Sequence, residues 1–239
     1  MRLMAADLHI HTAFSPCAEP EMTPEAIVNE AVRRELDMIA VCDHNCAENA
    51  QAMIDSAGDR IAVIAGMEIT TSEEVHVVGL FPDAESAHQA GRKVAESMPK
   101  NDDAADKNDE AAYPGLHVSN GMSAQATRLT LSEAVDLIHE YGGVAVAAHV
   151  DRPSYSVFSQ LGVWPDDAGF DAIEVSPVAV RESKVEGFAY IGLPIIASSD
   201  SHFLSDLGSC RTILKMERDG FDGLVEALQR LVEWRFSGA

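Results

Sequence analysis

The chain has 239 residues, 46% of them hydrophobic, and its 17 basic against 39 acidic side chains give a formal charge of −22. The length suits a single α/β barrel with a large core, no run approaches the roughly 18–20 apolar residues of a membrane span, and the start lacks the apolar stretch of a secretory leader, so a cytoplasmic location with no membrane partner is expected. So acidic a surface repels nucleic acid phosphates, and no binding of duplex nucleic acid is expected.

Short apolar runs alternate with amphipathic segments along the chain. Arg2–Leu8 reads as a first strand. Thr23-Pro24-Glu25 supplies a cap, a first-turn proline and an acid, which starts a helix running to about Arg34. Asp37–Cys42 is a second strand, and Asn45–Ala57 a helix ended by Gly58. Ile61–Ala65 and Val75–Phe81 are strands, and Ala84–Ser97 a helix. Residues 99–112 are charged, lack aromatics and show no apolar period, which predicts a flexible acidic loop. Leu131–Tyr141 is a helix capped by Thr130. Val144–Ala148, Phe170–Val175, Pro194–Ser198 and Arg211–Leu214 are strands, and Phe221–Trp234 is a final helix. About seven strand–helix units imply a parallel sheet with crossover helices, closed into a barrel that spans 1–239 as a single domain.

In such barrels the active site lies at the C-terminal ends of the strands. His9 and His11 follow the first strand, Asp43-His44 the second and Glu68 the third. His149, Glu174, Asp200 and His202 end or follow later strands, and His76 lies in the strand after Glu68. Each signal alone has an ordinary reading: half-buried histidines for His9-Ile10-His11, a helix cap for Asp43 and Asp200, a rim histidine for His149. Six of the nine histidines at one rim, together with acids, point instead to metal ligation. Imidazole and carboxylate donors suit zinc, manganese or iron, and a carboxylate such as Glu68 can bridge two cations. His88 and His139 fall in helices and are expected to face solvent. His117 reads as an exposed or lid histidine. Cys17, Cys42, Cys46 and Cys210 form no CxxC pair, so reduced thiols are expected, and Cys42 with Cys46 do not match the usual spacing of a structural zinc site.

The segments ADLHIHTAFS, IAVCDHN, GMEITTSEEVHVVGLF, AAHVDRP, IEVSP and ASSDSH, in this order, resemble the polymerase and histidinol phosphatase (PHP) family. The resemblance implies a distorted (β/α)7 TIM-like barrel with two or three divalent metals. It assigns His9, His11, Glu68 and Asp200 to one metal, Glu68, His76 and His149 to a second, and His44 with His202 to a third. Asp43 would support the site, and Asp7 and Glu174 would orient its ligands. Many family members carry an acid where this chain has Pro16, which puts the third metal in question and leaves Cys17 or Glu19 as substitutes.

The implied reaction is phosphoester hydrolysis by a metal-bridging hydroxide. Asp200 would accept a proton, and His202 or His44 would protonate the leaving oxygen. Arg152 and Arg181 are candidate phosphate clamps, and Tyr155 could shape the pocket. A small phosphorylated substrate is expected, with a nucleotide, a short oligonucleotide or histidinol phosphate all open. Hydrolysis of an amide bond, or a silent metal-binding module, are the competing readings.

Overall fold

The computed structural model describes residues 1–99 and 124–230, and the backbone of 236–238. From residue 100 onward the expected acidic loop lies outside the described residues, as does His117. The elements in chain order are β1 (Arg2–Ile10), α1 (Pro24–Arg33), β2 (Met38–Val41), α2 (Ala50–Ala57), β3 (Ala62–Thr70), β4 (His76–Phe81) and α3 (Ala84–Glu96). There follow α4 (Leu131–Glu140), β5 (Val144–Ala147), α5 (Val157–Leu161), β6 (Ala172–Val175), α6 (Pro177–Arg181), a 3-10 helix (Val185–Ile191), β7 (Ile195–Ala197), β8 (Cys210–Met216), α7 (Gly220–Gln229) and β9 (Phe236–Gly238).

The strands form one sheet in the order β7-β6-β5-β4-β3-β2-β1-β8-β9. It curls into a nearly closed, distorted TIM-like α/β barrel. Its seam lies between β7 and β8, where the Thr212 hydroxyl donates to the Ala197 carbonyl (2.9 Å) and accepts from the Ala197 amide (2.7 Å). Near the seam's upper end the His11 amide donates to the Ser201 carbonyl at 3.0 Å.

The expected all-parallel sheet is instead mixed. β3 and β4 pair antiparallel, as do β4 with β5 and β1 with β8. The reason lies in the connection: only residues 71–75 separate β3 from β4, too few for the crossover a parallel pair requires. That hairpin lengthens β3 to Thr70, so Glu68 sits within a strand opposite Val78 rather than beyond a strand end. Gly66 permits the crowding, since a Cβ there would fall 2.9 Å from both the Gly79 and Val41 carbonyl oxygens.

The helices follow their local signals. Thr23 and Thr130 cap α1 and α4, the latter in a reciprocal capping box with Glu133. α2 starts five residues later than its pattern suggests. Asn45 has a left-handed backbone (φ 53°), and its side-chain oxygen accepts from the Thr70 amide at 2.9 Å. That use of Asn45 is incompatible with a helix interior. α7 runs to Gln229 with Arg230 at its C-cap, and residues 231–234 of the expected helix lie outside the described residues.

Two apolar layers follow from strand alternation. Met4, Ala6, Leu8, Met38, Ala40, Ile64, Val78, Leu80, Val146 and Ile196 fill the barrel interior, which is packed against Leu224 and Leu228 of α7. Ile39, Met67, Ile69, Val77, Ile173 and Ile195 face the surrounding helices. Burying each such side chain contributes on the order of 1.5–3 kcal/mol. The interior face is therefore apolar up to Ile64, Val78 and Ala172. The next residues on that face are Gly66 then Glu68, His76 and Glu174, so the polar layer begins where the apolar plug ends.

Candidate active site

β1 breaks its own alternation where it delivers two histidines, His9 and, just past its end, His11. Its pairing with β2 shifts register between Asp7 and Ile10. Leu8 lies in the interior layer, yet Ile10 packs toward the helices. The irregularity turns His9 and His11 into the top of the barrel, a common use of a bulge.

There the Glu68 carboxylate meets five imidazoles. His76 Nδ1 lies 2.7 Å away, His44 Nδ1 3.0 Å, His149 Nε2 3.2 Å, His11 Nε2 3.4 Å and His9 Nε2 3.5 Å. Asp200 adds a second carboxylate, 3.1 Å from His11 Nε2 and 3.4 Å from His9 Nε2. All but His202 of these side chains are buried, and His202 stacks on His11 with centroids 4.2 Å apart. His149 and Asp200 hold left-handed backbones (φ 28° and 49°), which aim their side chains back over the barrel mouth.

A surrounding set of hydrogen bonds fixes the rings. Glu174 Oε2 accepts from His9 Nδ1 at 2.9 Å, which leaves His9 Nε2 for the cluster. The Ser15 hydroxyl donates to Asp43 (2.7 Å) and so accepts from His11 Nδ1 at 3.0 Å, which frees His11 Nε2 likewise. Asp43 also accepts from the Thr12 amide and hydroxyl at 2.8 and 2.6 Å, and Asn49 donates to the Thr12 hydroxyl at 2.7 Å. Asp7 accepts from the Ser199 amide and hydroxyl and the Gly208 amide, which pins the residue before Asp200. Thr12, Ser15 and Asn49 escaped the sequence reading. Thr12 and Ser15 lie inside the first motif, where their spacing from His11 was the available signal.

The donor set suits divalent cations. Three groups have ligand atoms within 4.8 Å of one another: His9, His11 and Glu68; His44, Glu68 and His76; His11, His44 and His202. The buried nitrogens His44 Nδ1, His76 Nδ1 and Nε2, and His149 Nδ1 lack a hydrogen-bond partner. Of these, His44 Nδ1 and His76 Nδ1 lie close to Glu68 without the alignment of a hydrogen bond. An unsatisfied buried polar group costs about 1–3 kcal/mol, so four at one place mark a site shaped for something other than hydrogen bonds.

Electrostatics divides the imidazoles. Burial alone would lower His9, but Glu174, Asp200 and Glu68 outweigh it and hold its pKa well above the ordinary value. The same balance raises His11 and His44 to about 9. Burial prevails at His76, which is lowered, and at His202, brought to about 4 with help from the charge on His11. Burial opposes ionisation of Glu68, Glu174 and Asp200, but the neighbouring imidazoles hold all three below the ordinary carboxylate range. Burial raises Asp7 to about 6. Without metal, three carboxylates are thus balanced by three imidazoliums.

Ligation requires neutral imidazoles, so cations must displace those protons. Metal uptake near pH 7.5 is therefore expected to release at least one proton per chain, and affinity should rise with pH until about 9, where His11 and His44 deprotonate unaided. Calorimetry in two buffers of different ionisation enthalpy reads this directly. Identical heats in both would contradict it.

The other expected residues distribute as follows. The Arg152 guanidinium reaches Asp200 Oδ2 at 2.5 Å, at the rim. Arg181 ends α6, exposed, and among the described residues no hydrogen bond or ion pair ties it to the cluster. Tyr155 stacks its ring on His76 at 4.6 Å. Pro16 is exposed, and the Cys17 thiol lies beside the His44 imidazole. Glu19 meets His202 through its backbone amide, at 2.9 Å. Burial pushes the thiols of Cys42 and Cys46 upward, away from the thiolate a zinc site needs. His88 and His139 are away from the cluster, beside Glu48 and Asp171. No helix among the described residues is long and apolar enough to cross a membrane.

Residues 189–232 match the family model described as PHP-associated, PHP_C. The 5'-3' exoribonuclease Rnm of Salmonella typhimurium is 27% identical, over 71% of this chain and 74% of its own length. The 3',5'-nucleoside bisphosphate phosphatase of Chromobacterium violaceum is 36% identical over 92 residues, 36% of this chain and 31% of that protein. The lesion-specific endonuclease EndoQ from Pyrococcus furiosus shares the fold, with a TM-score of 0.72 at 16% identity over 98% of this chain. This chain spans only 58% of that endonuclease.

These findings correct one expectation. The acidic charge does not exclude duplex nucleic acid, because Endonuclease Q, with the same fold, was solved with a 27-mer duplex whose abasic lesion lies at its active site. Net charge sums a whole surface, whereas exposed charges act over a screening length of about 10 Å. The barrel mouth combines the histidine–carboxylate cluster with the Arg152 guanidinium, a local arrangement that a summed charge does not describe.

Proposed function

We propose that this chain, a member of the PHP family, is a divalent-metal-dependent hydrolase of phosphoester bonds. The observation that carries the proposal is the Glu68 carboxylate within 3.5 Å of five imidazoles, with Asp200 alongside. His9, His11, Glu68 and Asp200 would hold one cation, and Glu68, His76 and His149 a second. His44 and His202, with Cys17 in place of the acid that Pro16 lacks, would hold a third. Such cations lower the pKa of a water nucleophile and offset charge on the phosphoryl oxygens.

The remaining work falls to side chains. Asp200, held ionised, is the proton acceptor at the barrel mouth. His44 or His202, both at the barrel mouth, would pass a proton to the leaving oxygen. Arg152 presents its planar donors at the rim, beside Asp200, where a phosphate would arrive. Arg181 is a second, more distant candidate. Charged hydrogen bonds are worth about 1.5–3 kcal/mol, so Arg152→Ala should raise KM for a phosphomonoester about 10- to 100-fold. Steady-state kinetics checks this, and an unchanged kcat/KM would remove Arg152 from phosphate binding.

The relatives' names direct the first assays to nucleotides and nucleic acid strands. Protein loaded in turn with manganese, iron and zinc should release phosphate or cleaved product from at least one phosphomonoester, phosphodiester or oligonucleotide, and lose that activity to a chelator. Hydrolysis of none of them, or turnover indifferent to chelation, would overturn the proposal.

A further inference from the structure

Beside the metal-ligand cluster runs a groove of about 550 Å³ between the Val150–Ser159 segment and the 3-10 helix. Arg152 lines one part of it and also touches Asp200 of the cluster, so groove and cluster share a side chain. Phe158, Phe188 and Tyr190 line it as well. The first two rings are 6.1 Å apart, and Tyr190 is 70% exposed. The groove's one carboxylate, Asp151, is already engaged, accepting from both the amide and the hydroxyl of Ser176.

We infer that this groove is the subsite for the base and sugar of a nucleotide unit whose phosphate lies between Arg152 and the metal-ligand cluster, with the base stacked on Tyr190 and Phe188. The inference rests on the phosphoesterase reading above for the place of the phosphate. A volume of this size is in the range of small-ligand sites, and a guanidinium beside a set of aromatic rings matches a ligand that is anionic at one end and flat at the other. Phe158 and Phe188 also pack against the core, whereas the Tyr190 ring is exposed and is the face a flat base would cover.

The test uses the metal-loaded protein and two non-hydrolysable probes, the 5'-phosphonates of adenosine and of ribose, in which a methylene replaces the ester oxygen. Base–aromatic stacking predicts that wild type binds the adenosine compound at least about 10-fold more tightly. Tyr190→Ala should bring that ratio close to one, and Tyr190→Phe should preserve it. Tyr190 is so exposed that neither change threatens the fold, and circular dichroism with metal analysis verifies that. Failure of both probes to bind, equal affinities in wild type, or a preference that survives Tyr190→Ala would each overturn the inference. Phosphoester turnover is scored separately: its absence alongside a Tyr190-dependent preference would sink the phosphoesterase reading and leave the subsite standing.

Discussion

Glu68→Gln is expected to lower kcat/KM by on the order of 1000-fold or more and to leave less than one equivalent of tightly bound metal. Residues that only orient a ligand typically cost 10- to 100-fold when removed, and Glu68 does more than that. Its two oxygens serve five imidazoles drawn from β1, β4 and the segments after β2 and β5. Glutamine keeps the shape but presents an amide N–H to nitrogens that need an acceptor or a cation. The metal-free protein should suffer as well. His9, His11 and His44 all draw part of their raised pKa from Glu68, so its loss drives protons off them. Removing one partner of a buried charge pair costs about 3–5 kcal/mol, and that deprotonation relieves part of the loss here. Metal analysis, kinetics and thermal unfolding of the same preparation check the three effects together. A variant with its full metal complement and turnover within tenfold of wild type would refute the bridging role.

Asp200→Asn is expected to lower kcat by about 100- to 10,000-fold, the span usual for a lost proton acceptor, and to lower the melting temperature of the metal-free protein, because Asp200 is a buried carboxylate paired with His9 and His11. The substitution is conformationally mild. Asp200 has φ 49°, a left-handed backbone that asparagine tolerates well. The metal content decides between two accounts of the effect. If Asp200 acts chiefly as a ligand, stoichiometry falls with kcat. If it acts chiefly as the proton acceptor, metal stays and kcat alone falls. Turnover equal to wild type would remove Asp200 from both roles.

The clustering of the candidate ligands is legible because they stand at strand ends. His9, His11, His44, His76, His149, Asp200 and His202 each stand at or beside the end of an apolar run, and the structure gathers all of them. What escaped was set by pairing rather than composition. Nothing local in GMEIT says that it pairs with the strand after it, so the extension of β3 through Glu68 and the reversal of β4 had to come from the hairpin. Asn45 reads as part of a helix, yet its side chain serves the Thr70 amide across the fold. The expectation about duplex nucleic acid failed for a related reason: a summed charge contains no positions. The sequence places Cys17 and Tyr155 near the candidate site, and the structure sets one beside His44 and the other flat on His76.

The seam between β7 and β8 also gives the ligands a mechanical part. His9 and His11 stand on one lip, and Asp200 on the other, 189 positions along the chain from His11. The Thr212 hydroxyl, the His11 amide and the Asp7 carboxylate, which accepts from the Ser199 amide and hydroxyl, tie the two lips together. The ion proposed to be shared by His9, His11 and Asp200 would act as a further rivet between the first and last strands of the barrel. Metal uptake and closure of the barrel wall would then be linked, since a chain that has not finished folding lacks the complete set of proposed ligands.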